Sequence, residues 1–229
     1  MPPPVSAWKC GAANDAVPPL VSTLLVAAVG FALGALPFGL WVARWARGID
    51  IREHGSGNLG ATNVYRTLGP RLGLAVFGLD LAKGVAAVVA GRALGSASFP
   101  GGAESAGLVG AIAAVVGHSY TPFAGGRGGK GVSTAAGAML AATPVASAIA
   151  LLGFFLAATL TRRISVGSLT AAVLLPVTLW TVPFAGQGRA AAWAGTGVGL
   201  LIVVRHLPNL RRLLRGEEPP FHFHSEARP

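Results

Sequence analysis

Long apolar runs separated by short basic loops set the pattern of this chain. Apolar stretches occupy residues 20–43, 71–93, 104–122, 167–184 and 188–204, each near the roughly 20 residues that a helix needs to cross about 30 Å of hydrocarbon. A further region, Val132 to Leu160, is too long for one comfortable span and too short for two ordinary ones. Its middle reads AATPVA. Pro144 predicts a break there, since proline removes a helix hydrogen bond and clashes with the preceding turn.

The positions of the basic residues turn this pattern into a topology. Arg44, Arg47, Arg52, Arg66 and Arg71 crowd one connection, Arg127 and Lys130 a second, Arg162 and Arg163 a third, and Arg205, Arg211, Arg212 and Arg215 the C-terminal end. The other connections hold only Arg92 and Arg189, with Lys9 in the N-terminal tail. Basic loops stay on the cytoplasmic side, so the region 132–160 is expected to cross and return as two short helices broken near Pro144. The result is an all-α, polytopic helical membrane protein of seven membrane segments, with the N-terminus outside and the C-terminus inside. Residues 20–218 form its membrane domain, between a mobile tail at 1–19 and a C-terminal tail at 219–229. The opening MPPPVSAWKCGAANDAVPP lacks a charged start followed by an apolar core and does not read as a signal peptide.

Composition agrees and closes other routes. Of the 229 residues, 52% are hydrophobic and 11% charged, less than half the charge of an ordinary globular chain, and mean hydropathy is +0.61. The 33 glycines suit helices that pack closely in lipid. A soluble alanine-rich bundle needs a polar outer face that this chain lacks. The formal charge of +10 does not indicate nucleic acid, because the basic residues sit in short loops and not on one continuous face. The single Cys10 excludes an internal disulfide, and no Cys/His cluster has metal-ligand spacing, so no metal is expected.

Four polar segments, 54–66, 117–134, 161–168 and 205–218, fall on one side in this topology. Irregular backbone at membrane depth is tolerated only where it is buried in protein or lines a cavity, so the four are expected to build one site. The first, HGSGNLGATNVYR, reads as a poor helix and a poor strand. Gly55, Gly57 and Gly60 let backbone N–H groups form an anion nest. Ser56, Asn58, Thr62 and Asn63 add neutral donors, and Arg66 adds a planar fork suited to phosphate or carboxylate. The second, GHSYTPFAGGRGGKGVST, sets Arg127 and Lys130 among five glycines, Gly128 and Gly129 included, ahead of a helix opening at VSTAAG. Helix N-terminal amides with a lysine make an anion site. This is not a nucleotide-binding P-loop: Ala124 stands where that pattern needs its first glycine, and Gly131 where it needs Ser or Thr.

RRISVGS offers Ser165 and Ser168, either as ligands or as helix caps. In RHLPNLRRLLRGEEPPF, His206, Asn209 and Arg212 share a helical face, while Arg211 and Arg215 suit anionic lipid. Asp80 and Lys83, three apart within the second span, are expected to pair, because a lone charge there is costly; the pair could serve structure or chemistry. No base or nucleophile stands out. None of the five histidines is followed four residues later by aspartate, no Gly-x-Ser-x-Gly elbow occurs, and the carboxylates form no evident catalytic pair. Anion-holding groups without a base suit a reaction between two phosphorylated substrates, one bringing its own activation and one its own base. The competing class is a transporter of a phosphorylated metabolite. It predicts two related halves with paired interrupted helices, and the glycine-rich motifs show no internal repeat.

The segments SGNLGATNVYR, GHSYTPFAGGRGGKGVST and HLPNLRRLLRGEE resemble the three signature regions of the bacterial acyl-phosphate:glycerol-3-phosphate acyltransferases, with DLAKG and SVGS similar to lesser family features, over about residues 20–218. The resemblance implies a protein of the bacterial inner membrane whose site faces the cytoplasm. It implies transfer of a fatty acyl group from acyl phosphate to the sn-1 hydroxyl of glycerol 3-phosphate, giving lysophosphatidic acid and inorganic phosphate, the first step of phospholipid synthesis. Catalysis is then substrate-assisted, with no cofactor, in a monomer set in membrane lipid. By the same resemblance Ser56, Arg66, Lys130, His206 and Asn209 carry catalysis. Asn58, Gly60, Thr62, Asn63, Arg127, Gly128, Gly129, Arg212 and one or both of Ser165 and Ser168 bind substrate. The same transfer from acyl carrier protein or coenzyme A differs only in its donor and stays open. The chain departs from the family where bulky and basic residues usually precede GGKG, with Ala124, Gly125 and Gly126 standing there instead.

Overall fold

Prolines and glycines set many of the helix limits, and distant side chains answer backbone groups left open at two of the breaks. The structure, a computed structural model, describes residues 18–95, 99–182 and 188–221; the expected tails lie almost wholly outside these ranges. Among the described residues all regular structure is helical, with ten α-helices and two single turns of 3-10 helix.

Helices α1 (Pro19–Ala35) and α2 (Phe38–Arg47) form one apolar run interrupted at Leu36 and Pro37. The proline ring drives Leu36 out of the helical region, to φ −59 and ψ 115. Two carbonyls at the break find distant donors: Thr121 Oγ1 donates to Ala35, and Lys83 Nζ donates to Leu36 at 2.8 Å. Lys83 also meets Asp80 at 2.8 Å on α4 (Pro70–Leu94), as the spacing predicts, and His118 of α5 (Gly102–Ser119) lies 3.6 Å from the same carboxylate. The Lys83 and Asp80 side chains are only 2% and 3% exposed, so neither charge has water to fall back on. Removing one partner of such a pair leaves the other uncompensated. Purified Asp80→Asn is therefore expected to lose about 3 kcal/mol of stability, read as a lowered thermal midpoint in detergent; an unchanged midpoint refutes a structural role for the pair.

Glycines let α4 lie directly on α6 (Val132–Ala142). A Cβ at Gly84 would collide with the Thr134 carbonyl, and one at Gly137 with the Leu81 carbonyl. With 11 residues, α6 is about 16 Å long, roughly half a hydrocarbon layer. Its far end is met by Arg92, whose Nη1 donates to the Ala141 carbonyl at 3.1 Å while Nη2 pairs with Glu104 at 2.6 Å. The next break falls between Thr143 and Pro144, where the sequence puts it. Of the two helices flanking it only α6 is short. Pro144 takes the first turn of α7 (Pro144–Thr161), where its missing N–H costs nothing, and α7 then runs 18 residues.

Helices α8 (Ile164–Thr181) and α9 (Arg189–Arg205) complete the bundle, and α9 bends by 57° into α10 (Leu207–Leu214). Five helical runs are long and apolar enough to cross a membrane, or six with the bent α9–α10 pair. Small and branched side chains fill the centre, Val88, Val115, Ala138, Ala172 and Val198 among them. Large apolar side chains such as Leu152, Leu160 and Leu200 face outward, which is the arrangement lipid favours and water does not.

Candidate active site

One side chain organises the loop from His54 to Gly60. Asn63, in the first turn of α3 (Ala61–Leu68), accepts from the Ser56 amide at 2.8 Å. It donates to the carbonyls of His54 and Asn58 at 3.0 Å and of Ile51 at 3.2 Å. Gly55 (φ 59) and Gly57 (φ 68) take the left-handed backbone this wrapping requires. The expectation that HGSGNLGATNVYR makes a poor helix is corrected here, because its second half, from Ala61, is helical. Burial of Val64 in a cluster with Leu40, Ala43 and Ile51 outweighs the weak helix propensity of Thr, Asn, Val and Tyr.

Four helices begin at a single cavity of about 430 Å3. Ala61 and Thr62 open α3, Val132 and Ser133 open α6, Ile164 and Ser165 open α8, and His206 stands just before α10; all of them line the cavity. Amides in the first turn of a helix lack intrahelical partners and carry partial positive charge. The arrangement attracts an anion before any side chain is considered. Arg66, Lys130 and Arg212 add full charges to the lining, and Ser56, Asn58, Gly60, Ser168 and Asn209 add neutral polar groups. Away from the cations the lining turns apolar, with Phe77, Met139, Leu151, Phe154, Leu175 and Val198. Leu74 and Phe77 of α4 and Phe155 of α7 line the cavity and are also exposed on the outer surface, so it opens sideways between these helices.

Lys130 lies in the field of other cations. Its pKa is lowered to about 8, first by burial; Glu218 opposes the shift, and Arg212, Arg66 and Arg205 add to it. Burial likewise lowers Arg66, opposed by Glu218. Just beyond α9, His206 is lowered to about 4, first by burial and then by Lys130. Its Nδ1 stands 2.8 Å from the Ile202 carbonyl, which can only accept. The neutral ring therefore carries its proton on Nδ1 and leaves Nε2 as a bare acceptor.

Not every expected residue reaches the cavity. Arg127 is exposed, and Gly128 and Gly129 are buried beneath it with their amides on the Ser119 and His118 carbonyls. Asn63 lines the cavity, but its amide is occupied by the loop. Three other residues matter more than their sequence context indicates. Arg205 donates to the Gly128 and Gly129 carbonyls at 3.1–3.2 Å and lies over the Tyr120 ring at 5.2 Å, tying the glycine loop to α9. His118 lies directly under Gly129, where a Cβ would strike its ring. Glu218 is buried among the cations. Burial would raise its pKa, but neighbouring Ser165, Asn209 and Arg212 hold it below the ordinary carboxylate range.

A cationic rim joined to an apolar, sideways-open interior fits a membrane-integral protein that holds a phosphorylated group beside a hydrocarbon chain. Residues 24–216 match the family model for glycerol-3-phosphate acyltransferase, and the chain belongs to that family. It is 43% identical over 202 residues to a glycerol-3-phosphate acyltransferase of Anaeromyxobacter dehalogenans, covering 88% of this chain and 98% of that one. Against a Synechococcus glycerol-3-phosphate acyltransferase the identity is 44% over 202 residues, covering 87% and 95%. The fold is similar to the crystal structure of PlsY (YgiH), an integral membrane glycerol 3-phosphate acyltransferase, in its glycerol 3-phosphate form, with a TM-score of 0.77 at 34% identity over 88% of this chain and 96% of that one. Its lysophosphatidic acid form gives a TM-score of 0.75 at 33% identity. The protein is thus a multi-pass membrane acyltransferase acting on glycerol 3-phosphate.

Proposed function

We propose that the acyl donor is an acyl phosphate, that the acceptor is the sn-1 hydroxyl of glycerol 3-phosphate, and that the products are lysophosphatidic acid and inorganic phosphate. The observation that carries this reading is the meeting of four helix N-termini with Arg66, Lys130 and Arg212 at the polar end of an apolar cavity. Such a site can hold two phosphates close together against their repulsion. An acyl phosphate is a mixed anhydride, reactive without ATP, coenzyme A or metal, so the protein's task reduces to positioning and charge stabilisation. The acyl chain lies in the apolar part, reached through the opening between α4 and α7.

In the transfer, the sn-1 oxygen bonds to the acyl carbonyl carbon, the bond from that carbon to the phosphate oxygen breaks, and the phosphate leaves with the electron pair. Two acceptors compete for the hydroxyl proton. A phosphate monoester has a second pKa of about 6, whereas His206 sits at about 4. Burial and Lys130 make His206 a poor base, so the proton goes to an oxygen of a substrate phosphate while His206 Nε2 orients the hydroxyl. Ser56, Asn58, Gly60 and Thr62 line the loop side of the anion site, with Ser165 and Ser168 on the side of α8.

The four basic connections support seven membrane segments, α6 being the short one, with the N-terminus outside, the C-terminus inside and the site facing the cytoplasm of a bacterial inner membrane. Residues 20–218 act as one membrane domain, in a monomer. Purified protein in detergent, given palmitoyl phosphate and glycerol 3-phosphate alone, is expected to release phosphate and form lysophosphatidic acid only when both are present. Transfer seen only after acyl carrier protein or coenzyme A thioester is supplied overturns the donor assignment.

A further inference from the structure

The segment after α10 returns to the cavity, and the transfer described above gives it no part. Glu218 on this segment is 5% exposed. It bridges two side chains one turn apart on α10: Asn209 Nδ2 donates to Oε1 at 2.7 Å, and Arg212 Nε donates to Oε2 at 2.8 Å. The segment is fastened from several sides. Arg163 Nε donates to the Glu218 carbonyl at 3.2 Å, Arg66 Nη2 donates to the Pro219 carbonyl at 3.5 Å, and the Phe221 amide donates to the Arg162 carbonyl at 2.7 Å.

An ionised carboxylate can only accept hydrogen bonds. The end of the Asn209 amide that faces Glu218 must therefore be its NH2, and Oδ1 points elsewhere. That oxygen is buried without a hydrogen-bond partner among the described residues, on a side chain 4% exposed that lines the cavity. A buried acceptor left unsatisfied is costly, and a donor from a ligand removes the cost. Three positions earlier, His206 leaves Nε2 as another bare acceptor. Anion-holding cations thus stand beside two acceptors, the combination that a phosphate carrying hydroxyl groups requires.

We propose that Glu218 is a positioning residue for acyl transfer: its carboxylate fixes the Asn209 amide so that Oδ1 stands in the cavity as the acceptor for a hydroxyl of glycerol 3-phosphate. The assignment rests on the reading of this cavity as the transfer site. Glu218 touches no substrate and acts through Asn209.

Glu218→Gln separates this role from simple bracing. Glutamine keeps an oxygen for Arg212 Nε and turns an NH2 toward Asn209, which reverses the amide it faces. In the otherwise natural protein, kcat/KM for glycerol 3-phosphate is expected to fall about tenfold or more. In an Asn209→Ala background, itself about tenfold or more impaired, the same change is expected to cost less than about twofold. Equal losses in the two backgrounds, or no loss from Glu218→Gln alone, overturn the proposal. Failure of the site reading looks different, since Asn209→Ala is then fully active. Thermal melting in detergent checks that each variant is folded. If Glu218→Gln does not fold, Glu218→Asp carries the same cycle, because the shorter carboxylate keeps its charge and loses its reach to Asn209.

Discussion

Lys130→Ala is expected to lower kcat/KM at least about a hundredfold while leaving the yield and melting temperature of the protein close to those of the natural chain. The ammonium lines the cavity on the last glycine-rich stretch before α6, at the edge of a core it does not help to fill. Its pKa of about 8 records a charge held in place against burial and against three arginines. Such a charge is only partly offset by Glu218 and is stabilised further when an anion arrives. Arg66→Ala should behave in the same direction for the same reason, since Arg66 faces the same cavity from α3. A pH profile adds an independent reading. Lys130 is charged below its pKa and neutral above it, so kcat/KM of the natural enzyme is expected to fall as pH rises through about 8. A bound phosphate favours the charged form, so the corresponding limb of kcat lies at higher pH. Full turnover by Lys130→Ala, or a flat profile from pH 7 to 10, removes Lys130 from the site.

Gly137→Val is expected to cost most of the folded protein. The new Cβ would strike the Leu81 carbonyl, and Gly84 makes the reciprocal approach to Thr134, so α4 and α6 touch backbone to backbone. Neither partner is a side chain that can rotate away. The helices must separate, at a cost of about 3 kcal/mol or more, and α6 carries the amides of Val132 and Ser133 at the cavity. Loss of monodisperse protein in size-exclusion chromatography is the expected outcome. Gly197→Ala on α9 is the control. Nothing lies within 4 Å of a Cβ there, and alanine gains about 1 kcal/mol of helix propensity over glycine. Equal behaviour of the two variants contradicts the close packing of α4 on α6.

The long helices were legible in the sequence because hydrocarbon demands unbroken apolar runs, and the break at Pro144 was legible because proline leaves no choice. Helix α3 was not. Its helicity depends on the burial of Val64 against α2 and on the hold of Asn63 on the preceding loop, which no local pattern encodes. The polar interruptions pointed to one shared site, and residues from all four segments meet at one cavity. The division of labour within them did not show. Arg127 and Arg205 read alike as loop cations, yet one is exposed and the other holds two glycine carbonyls. Glu217 and Glu218 are adjacent and chemically identical, and only the turn at Gly216 (φ 73) settles which of them is buried among the cations.

With the acyl chain entering between α4 and α7 as proposed, the two substrates have different kinds of abundance. Glycerol 3-phosphate arrives from a volume of water and is counted in moles per litre. A hydrocarbon chain entering through the side of the bundle arrives along a sheet and is counted as a fraction of the molecules in one leaflet. Thinning the suspension with buffer changes the first quantity and leaves the second nearly untouched, whereas adding inert lipid does the reverse. The rate at which this chain works is therefore set by the make-up of its own surroundings in two dimensions as much as by supply in three.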